Sequence, residues 1–293
     1  MKIAISYQDS ESSGWNSSLG LQNSFIKKGH DVTFYGVKDP KNTNLEKLID
    51  ESNNYDFILF LWCGPSISFD EQLKKLKSKT KTKILLEVGD EPQTQVDNQV
   101  RIRYVDEFFT SDIRCHTQYK QQGLPSNWMT HWCDDSIFYK KENVNRQNIC
   151  VTSCLGYRPL IQEFSNIFKD KFINKHVWNI DNTDYYNSGT FTYQFARFDE
   201  ITRRIFESGG CGNAIITNRI SAETGIYDLF VEDEDICYFS TGQEAYEKML
   251  RLYNDHDYRN HLATNIYNKI TKYHLVGNRV DQIIETFNIH NSK

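Results

Sequence analysis

The run Phe57-Ile58-Leu59-Phe60-Leu61-Trp62 is apolar at every position. A strand with one wet face alternates apolar and polar residues, so a run without alternation needs cover on both faces, as in a parallel sheet between two layers of helices. Including this strand, read as Asp56–Trp62, the first half offers strand candidates at Lys2–Tyr7, Asp31–Gly36, Lys83–Val88, Glu107–Ser111 and Asn127–Trp132. Between them lie amphipathic stretches near Leu19–Lys28, Leu45–Glu51, Phe69–Lys77, Asp97–Tyr104 and Cys115–Gln122. Strands alternating with helices of this length imply crossover units.

The alternation restarts after the polar stretch 140–146. Strands are expected at Ile149–Ser153, Lys175–Asn179, Ala214–Thr217 and Ile236–Phe239, and helices at Pro159–Phe168, Ile201–Gly209 and Gln243–Asn254. A last apolar stripe, Val280, Ile283, Ile284 and Phe287, reads as a terminal helix. A chain of 293 residues has room for two domains of about 150 each. The expectation is an α/β protein of two doubly wound domains, 1–145 and 146–293, facing each other across a ligand cleft.

Composition narrows the function classes. The net charge of −5 argues against a generic nucleic-acid coat. No run approaches 18 apolar residues, and the start MKIAISYQDS lacks a basic region followed by an apolar stretch. The seven cysteines show no CxxC or Cys/His clustering and read as reduced thiols, with no zinc site, in a cytoplasmic protein.

The most informative segment runs from Phe198 through Asp199, Glu200, Thr202, Arg203, Arg204 and Glu207 to Ser208-Gly209-Gly210-Cys211-Gly212. Acids and a Thr at the front of a helix suit its positive end and its unpaired amides. Arg203 with Glu207, and Glu200 with Arg204, are four apart and share helix faces, so one reading is a surface helix with two solvated ion pairs. The glycine-rich end before the buried strand Ala214–Thr217 points instead to a place where a ligand or backbone approaches closely.

This segment resembles nucleotide-sugar glycosyltransferases of the two-Rossmann-domain type, called GT-B, many of which carry two acids eight residues apart before a small-residue run. Asp199 and Glu207-Ser208-Gly209-Gly210-Cys211-Gly212 match that pattern. The run Arg204-Ile205-Phe206-Glu207-Ser208-Gly209-Gly210-Cys211-Gly212 is similar to the signature of the branch related to the spore-maturation protein CgeB. Leu229–Asp235 and Cys237-Tyr238-Phe239 also fit that branch. The resemblance implies two Rossmann-like domains and a nucleotide-diphosphate sugar donor. Glu207 would then hold the ribose hydroxyls, Arg203 or Arg204 would balance the diphosphate, and Asp199 and Glu200 would lie near the donor sugar, with Thr202 at the same helix start.

Other candidates take their roles partly from this resemblance. Gly156 and Arg158 form a strand–turn–helix junction able to hold phosphate, or a plain connection. Gly14 and Trp15 lie in the loop after the first strand, which lacks GxGxxG spacing; they are acceptor-side candidates, or parts of an ordinary loop. Asp90 and Glu91 follow the fourth strand and are candidates for the base that takes the acceptor proton, although Asp-Glu-Pro is also a common way to leave a strand. Asp134 and Phe138 match an element that closes the first domain of many GT-B enzymes, and His131 either faces the donor or is structural. Lys74, Lys75, Lys77, Lys79, Lys81 and Lys83 read as a solvated face, with contact to an anionic membrane or nucleic acid as the alternative.

The expected function is a metal-independent glycosyltransferase using a UDP-sugar, with a glycan or other hydroxyl acceptor and no further cofactor. Asp255-His256-Asp257 has the literal Asp-x-Asp spacing, but it sits between helices and reads as a helix cap. The alternatives are a DNA-modifying glycosyltransferase and a non-catalytic sugar-nucleotide-binding module.

Overall fold

The computed structural model describes residues 1–7, 17–36, 43–62, 67–152, 159–175, 177 and 180–291. The first part of the chain holds strands β1 Lys2–Tyr7, β2 Asp31–Gly36, β3 Phe57–Trp62, β4 Lys83–Val88, β5 Glu107–Thr110 and β6 Asn127–Trp128. Helices α1 Ser17–Lys27, α2 Thr43–Glu51, α3 Ile67–Lys79, α4 Gln95–Arg101 and α5 Ile113–Gln121 alternate with them. The second part holds β7 Cys150–Thr152, α6 Ile161–Phe168, β8 Phe172–Asn174, α7 Ile180–Ser188, β9 Phe191–Gln194, α8 Arg203–Gly210, β10 Ala214–Asn218, α9 Ile226–Leu229 and β11 Cys237–Phe239. Three helices follow: α10 Gly242–Asn254, α11 His256–Tyr273 and α12 Val276–Asn291.

Among the described residues the strands form two fully parallel sheets, ordered β2-β1-β3-β4-β5-β6 and β11-β10-β9-β7-β8. Both orders reverse once, beside β1 in the first sheet and beside β7 in the second. Helices cover both faces, which explains why the described positions of β3 are buried without alternation. The expected doubly wound α/β class is therefore the observed one.

The chain divides into two compact units, residues 1–130 with 276–293, and residues 131–275. The expected joint at 145/146 thus lies inside the second unit, and the terminal helix, expected in the second domain, belongs to the first. Helix α12 packs along α1: Lys28 pairs with Asp281 at 2.7 Å, and Phe287 lies 4.9 Å from Phe57, ring to ring. Arg279, 6% exposed, donates from Nε to the Thr130 carbonyl at 2.9 Å, and Gln282 donates to the Trp128 carbonyl at 2.8 Å. No described helix is long and apolar enough to cross a membrane.

The fold departs from expectation at three strands. The strand expected at 127–132 stops at Trp128. A strand that was not expected, β8, stands ahead of the one expected at Lys175–Asn179, of which residues 176, 178 and 179 lie outside the described residues. Strand β9, at the centre of the second sheet, was not anticipated because two of its four residues are polar. Asp255 does cap a helix, accepting from the Tyr258 amide at 2.9 Å at the start of α11.

Candidate functional site

In an open parallel sheet, ligands sit outside the carboxyl ends of the strands where the strand order reverses. In the second unit that point lies between β7 and β9. The segment Phe195–Thr202 leaves the carboxyl end of β9 there and runs into α8. Two bridges, one to the last residue of β10 and one to the loop after it, hold this segment. Asn218 bonds both backbone groups of Ala196, accepting from its amide at 2.7 Å and donating to its carbonyl at 3.1 Å. Asp199 Oδ1 accepts from the Ser221 amide at 2.6 Å, with Asp199 in the left-handed region at φ 52°. Asp199 and Glu200 therefore precede the helix instead of opening it, because α8 begins at Arg203 and not at Ile201.

Helix α8 is locked from behind. Thr192 and Ser208 share a 2.5 Å hydroxyl contact, and Asn213 donates to Thr192 at 3.1 Å and to the Tyr186 carbonyl at 2.9 Å. Its end is a Schellman closure: the Asn213 amide bonds the Ser208 carbonyl at 3.3 Å and the Gly212 amide bonds that of Gly209 at 2.9 Å, with Gly212 at φ 80°. Gly209 and Gly210 pack against Ile270 and Cys133. The glycine run thus meets neighbouring protein, and close helix packing, not a ligand, accounts for it.

This packing fixes the side chains on the exposed part of the helix. Glu207 is half-buried, and its carboxylate makes no hydrogen bond or ion pair with any described residue. Neither of the two expected ion pairs, Arg203–Glu207 and Glu200–Arg204, forms. Burial pushes the Glu207 carboxyl above the ordinary carboxylate range, Arg203 and Arg204 pull it back, and Asp134 adds to the rise. The Arg203 guanidinium stacks over buried Trp132 at 4.8 Å, whereas that of Arg204 has no hydrogen-bond or ion-pair partner among the described residues. Thr202 is 7% exposed and stands at the N-cap of α8. A carboxylate, a guanidinium and a helix start thus lie together at the order reversal of the second sheet.

The remaining candidates fall as follows. Gly14, Trp15, Gly156 and Arg158 lie outside the described residues. Asp90 is exposed at the carboxyl end of β4 in the first unit. Glu91 beside it is 1% exposed and accepts from Tyr119 at 2.5 Å, Asn98 at 3.0 Å and the Thr110 hydroxyl. Burial raises the Glu91 carboxyl although these three donors oppose the rise. His131 is buried edge-on to Phe206, 6.5 Å between ring centres. Asp134 is buried and closes its own turn, accepting from the Ser136 amide at 3.1 Å and hydroxyl at 2.6 Å. Four of the six lysines face acids: Lys74 with Glu71 at 3.0 Å, Lys75 with Glu46 at 3.9 Å, and Lys77 and Lys83 with Asp106 at 2.9 and 3.5 Å. Among the described residues no three His, Cys, Asp or Glu side chains gather as metal ligands.

Asn218 and Gln194 were not singled out from the sequence. Gln194 is 1% exposed, donates to Thr202 Oγ1 at 2.6 Å and accepts from Thr217 Oγ1 at 2.5 Å. Single amides in strands carry no distinguishing pattern, so only the fold exposes their role.

Residues 150–285 match the family model described as glycosyl transferase-like. A search of curated proteins by sequence gives no match. Among solved structures, HepE of Anabaena in complex with UDP is 12% identical, with a TM-score of 0.69 over 98% of this chain and 100% of that one. The same protein is also known in complex with UDP-glucose, again 12% identical, at a TM-score of 0.68 over 98% of this chain and 99% of that one. Sucrose-phosphate synthase from Thermosynechococcus elongatus is 9% identical, at 0.67 over 99% and 100%. The catalytic domain of starch synthase IV from Arabidopsis thaliana, bound to ADP and acarbose, is 9% identical, at 0.66 over 100% and 99%. At such identities the likeness is one of fold, the GT-B architecture. The family match falls within the second half of the chain and includes all of α8.

Proposed function

We propose that this protein transfers a glycosyl group from a UDP-sugar to a hydroxyl acceptor, with the donor held at the start of α8. The observation that carries this reading is the half-buried Glu207 carboxylate, without a described partner, beside the equally open Arg204. A carboxylate that accepts two hydroxyl protons suits a ribose, and an open guanidinium suits a diphosphate. The UDP and UDP-glucose complexes of HepE support the choice of donor. The run Arg204–Gly212 supports the narrower CgeB-like assignment.

In the reaction, the acceptor oxygen bonds to the anomeric carbon as the bond from that carbon to the β-phosphate oxygen breaks. UDP leaves with the electron pair, and Arg204 balances its charge without a metal. Asp90, the exposed member of the acidic pair after β4, is the proposed acceptor of the hydroxyl proton. The DNA-modifying and non-catalytic readings gain no comparable support.

Calorimetric titration of UDP into wild type and Glu207→Ala tests the donor site. Leaving the ribose hydroxyls unpaired should cost on the order of 1.5–3 kcal/mol, roughly a 10- to 150-fold weaker Kd. Equal affinities would remove Glu207 from the site.

A further inference from the structure

Thr202 occupies the N-cap of α8 with extended backbone, φ −93° and ψ 145°, yet its side chain makes no capping bond. A Thr in this place ordinarily accepts from the second or third helical amide. Here the Ile205 amide turns back to the Thr202 carbonyl at 3.2 Å, and the Arg204 amide has no acceptor among the described residues. The hydroxyl is engaged elsewhere, by Gln194 Nε2 at 2.6 Å, and the Thr217 hydroxyl fixes that amide from its other side at 2.5 Å. All three side chains are at least nine-tenths buried, at 7%, 1% and 1% exposure. The hydroxyl proton of Thr202 has no acceptor among the described residues.

We propose that Gln194 is a positioning residue of the donor site. By drawing the Thr202 oxygen away from the helix, it keeps the Arg204 amide uncapped and leaves the hydroxyl proton free to donate, so that both can serve a phosphate oxygen of the nucleoside diphosphate. This inference rests on the donor reading above. Without Gln194, the helix caps itself with Thr202 and competes with the ligand for the same amide.

The test is a double-mutant cycle on UDP affinity, Gln194→Leu with Thr202→Ala, together with amide hydrogen exchange at Arg204 in the free protein. Gln194→Leu should weaken UDP roughly ten-fold in the wild-type background and not further in Thr202→Ala. Exchange at the Arg204 amide should slow in Gln194→Leu as the cap forms. A merely structural role for Gln194 weakens UDP equally in both backgrounds and leaves Arg204 exchange no slower, and either result overturns the proposal. If Gln194→Leu does not fold, Thr217→Val, which releases the Gln194 amide, takes its place in the same cycle and the same outcomes decide. If wild type binds UDP and Glu207→Ala weakens it while Gln194→Leu does not, only this inference falls. If wild type binds no UDP, the donor reading falls and the exchange measurement still decides whether Gln194 prevents the cap.

Discussion

The sulfur of Cys133 stands 2.4 Å from the point where a β-carbon on Gly210 would lie. Helix α8 therefore reaches its position only because that residue has no side chain. Cys133 is fully buried and its sulfur also contacts the Phe138 carbonyl at 3.3 Å, so it has little room to retreat. Gly210→Ala should destabilise the protein by about 1–3 kcal/mol, measured as a lower urea midpoint. Gly209→Ala should cost less, because its nearest obstacle is the mobile end of Ile270. A Gly210→Ala protein as stable as wild type would contradict this packing.

Glu207 should make donor binding depend on pH. Its carboxyl titrates above the ordinary value because it is buried. Two ribose hydroxyls need the anion as acceptor, so affinity for UDP-glucose should fall as pH drops through that raised value, and Glu207→Gln should lack the dependence. Stability runs the other way. The folded state holds this proton more tightly than the unfolded chain, so wild type should lose stability relative to Glu207→Gln as pH rises from the ordinary carboxylate value to the raised one. Parallel curves for the two proteins would count against the assignment.

Asp90 and Glu91 should separate cleanly. Asp90→Asn should lower turnover by about 10²–10⁴-fold with UDP affinity retained. Glu91→Gln places an amide nitrogen among three donors and should cost on the order of 1–3 kcal/mol of stability, read by urea denaturation. Loss of turnover in Glu91→Gln without loss of stability would move the base to Glu91.

UDP should stabilise the protein in the presence of EDTA. At about 100 times its Kd the gain is roughly 2.7 kcal/mol, seen as a higher Tm. A shift that appears only when magnesium or manganese is added would overturn the metal-independent reading.

Much of the architecture was legible in local pattern. Strands buried on both faces have nothing to alternate with, so β3 and its neighbours announce a parallel sheet, and the spacing around Arg204 and Glu207 marks the helix of the proposed donor site. Strand β9 escaped because Thr192 and Gln194 look like solvent-facing residues. They are buried because Ser208, Asn213, Thr202 and Thr217, all later in the chain, supply their hydrogen bonds. Glu91 likewise reads as an exposed turn acid until Tyr119, Thr110 and Asn98 close around it. The return of α12 to the first unit had no local mark either, since its apolar stripe would suit any partner and only Phe57 and its neighbours select one. Period and composition are properties of neighbours in the chain, so the sequence by itself determined the element types, the doubly wound class and the acidic and arginine segment. Strand order, buried polar partners and the lack of an ion-pair partner for Glu207 and Arg204 among the described residues depend on contacts between distant residues, and these only the tertiary structure decided.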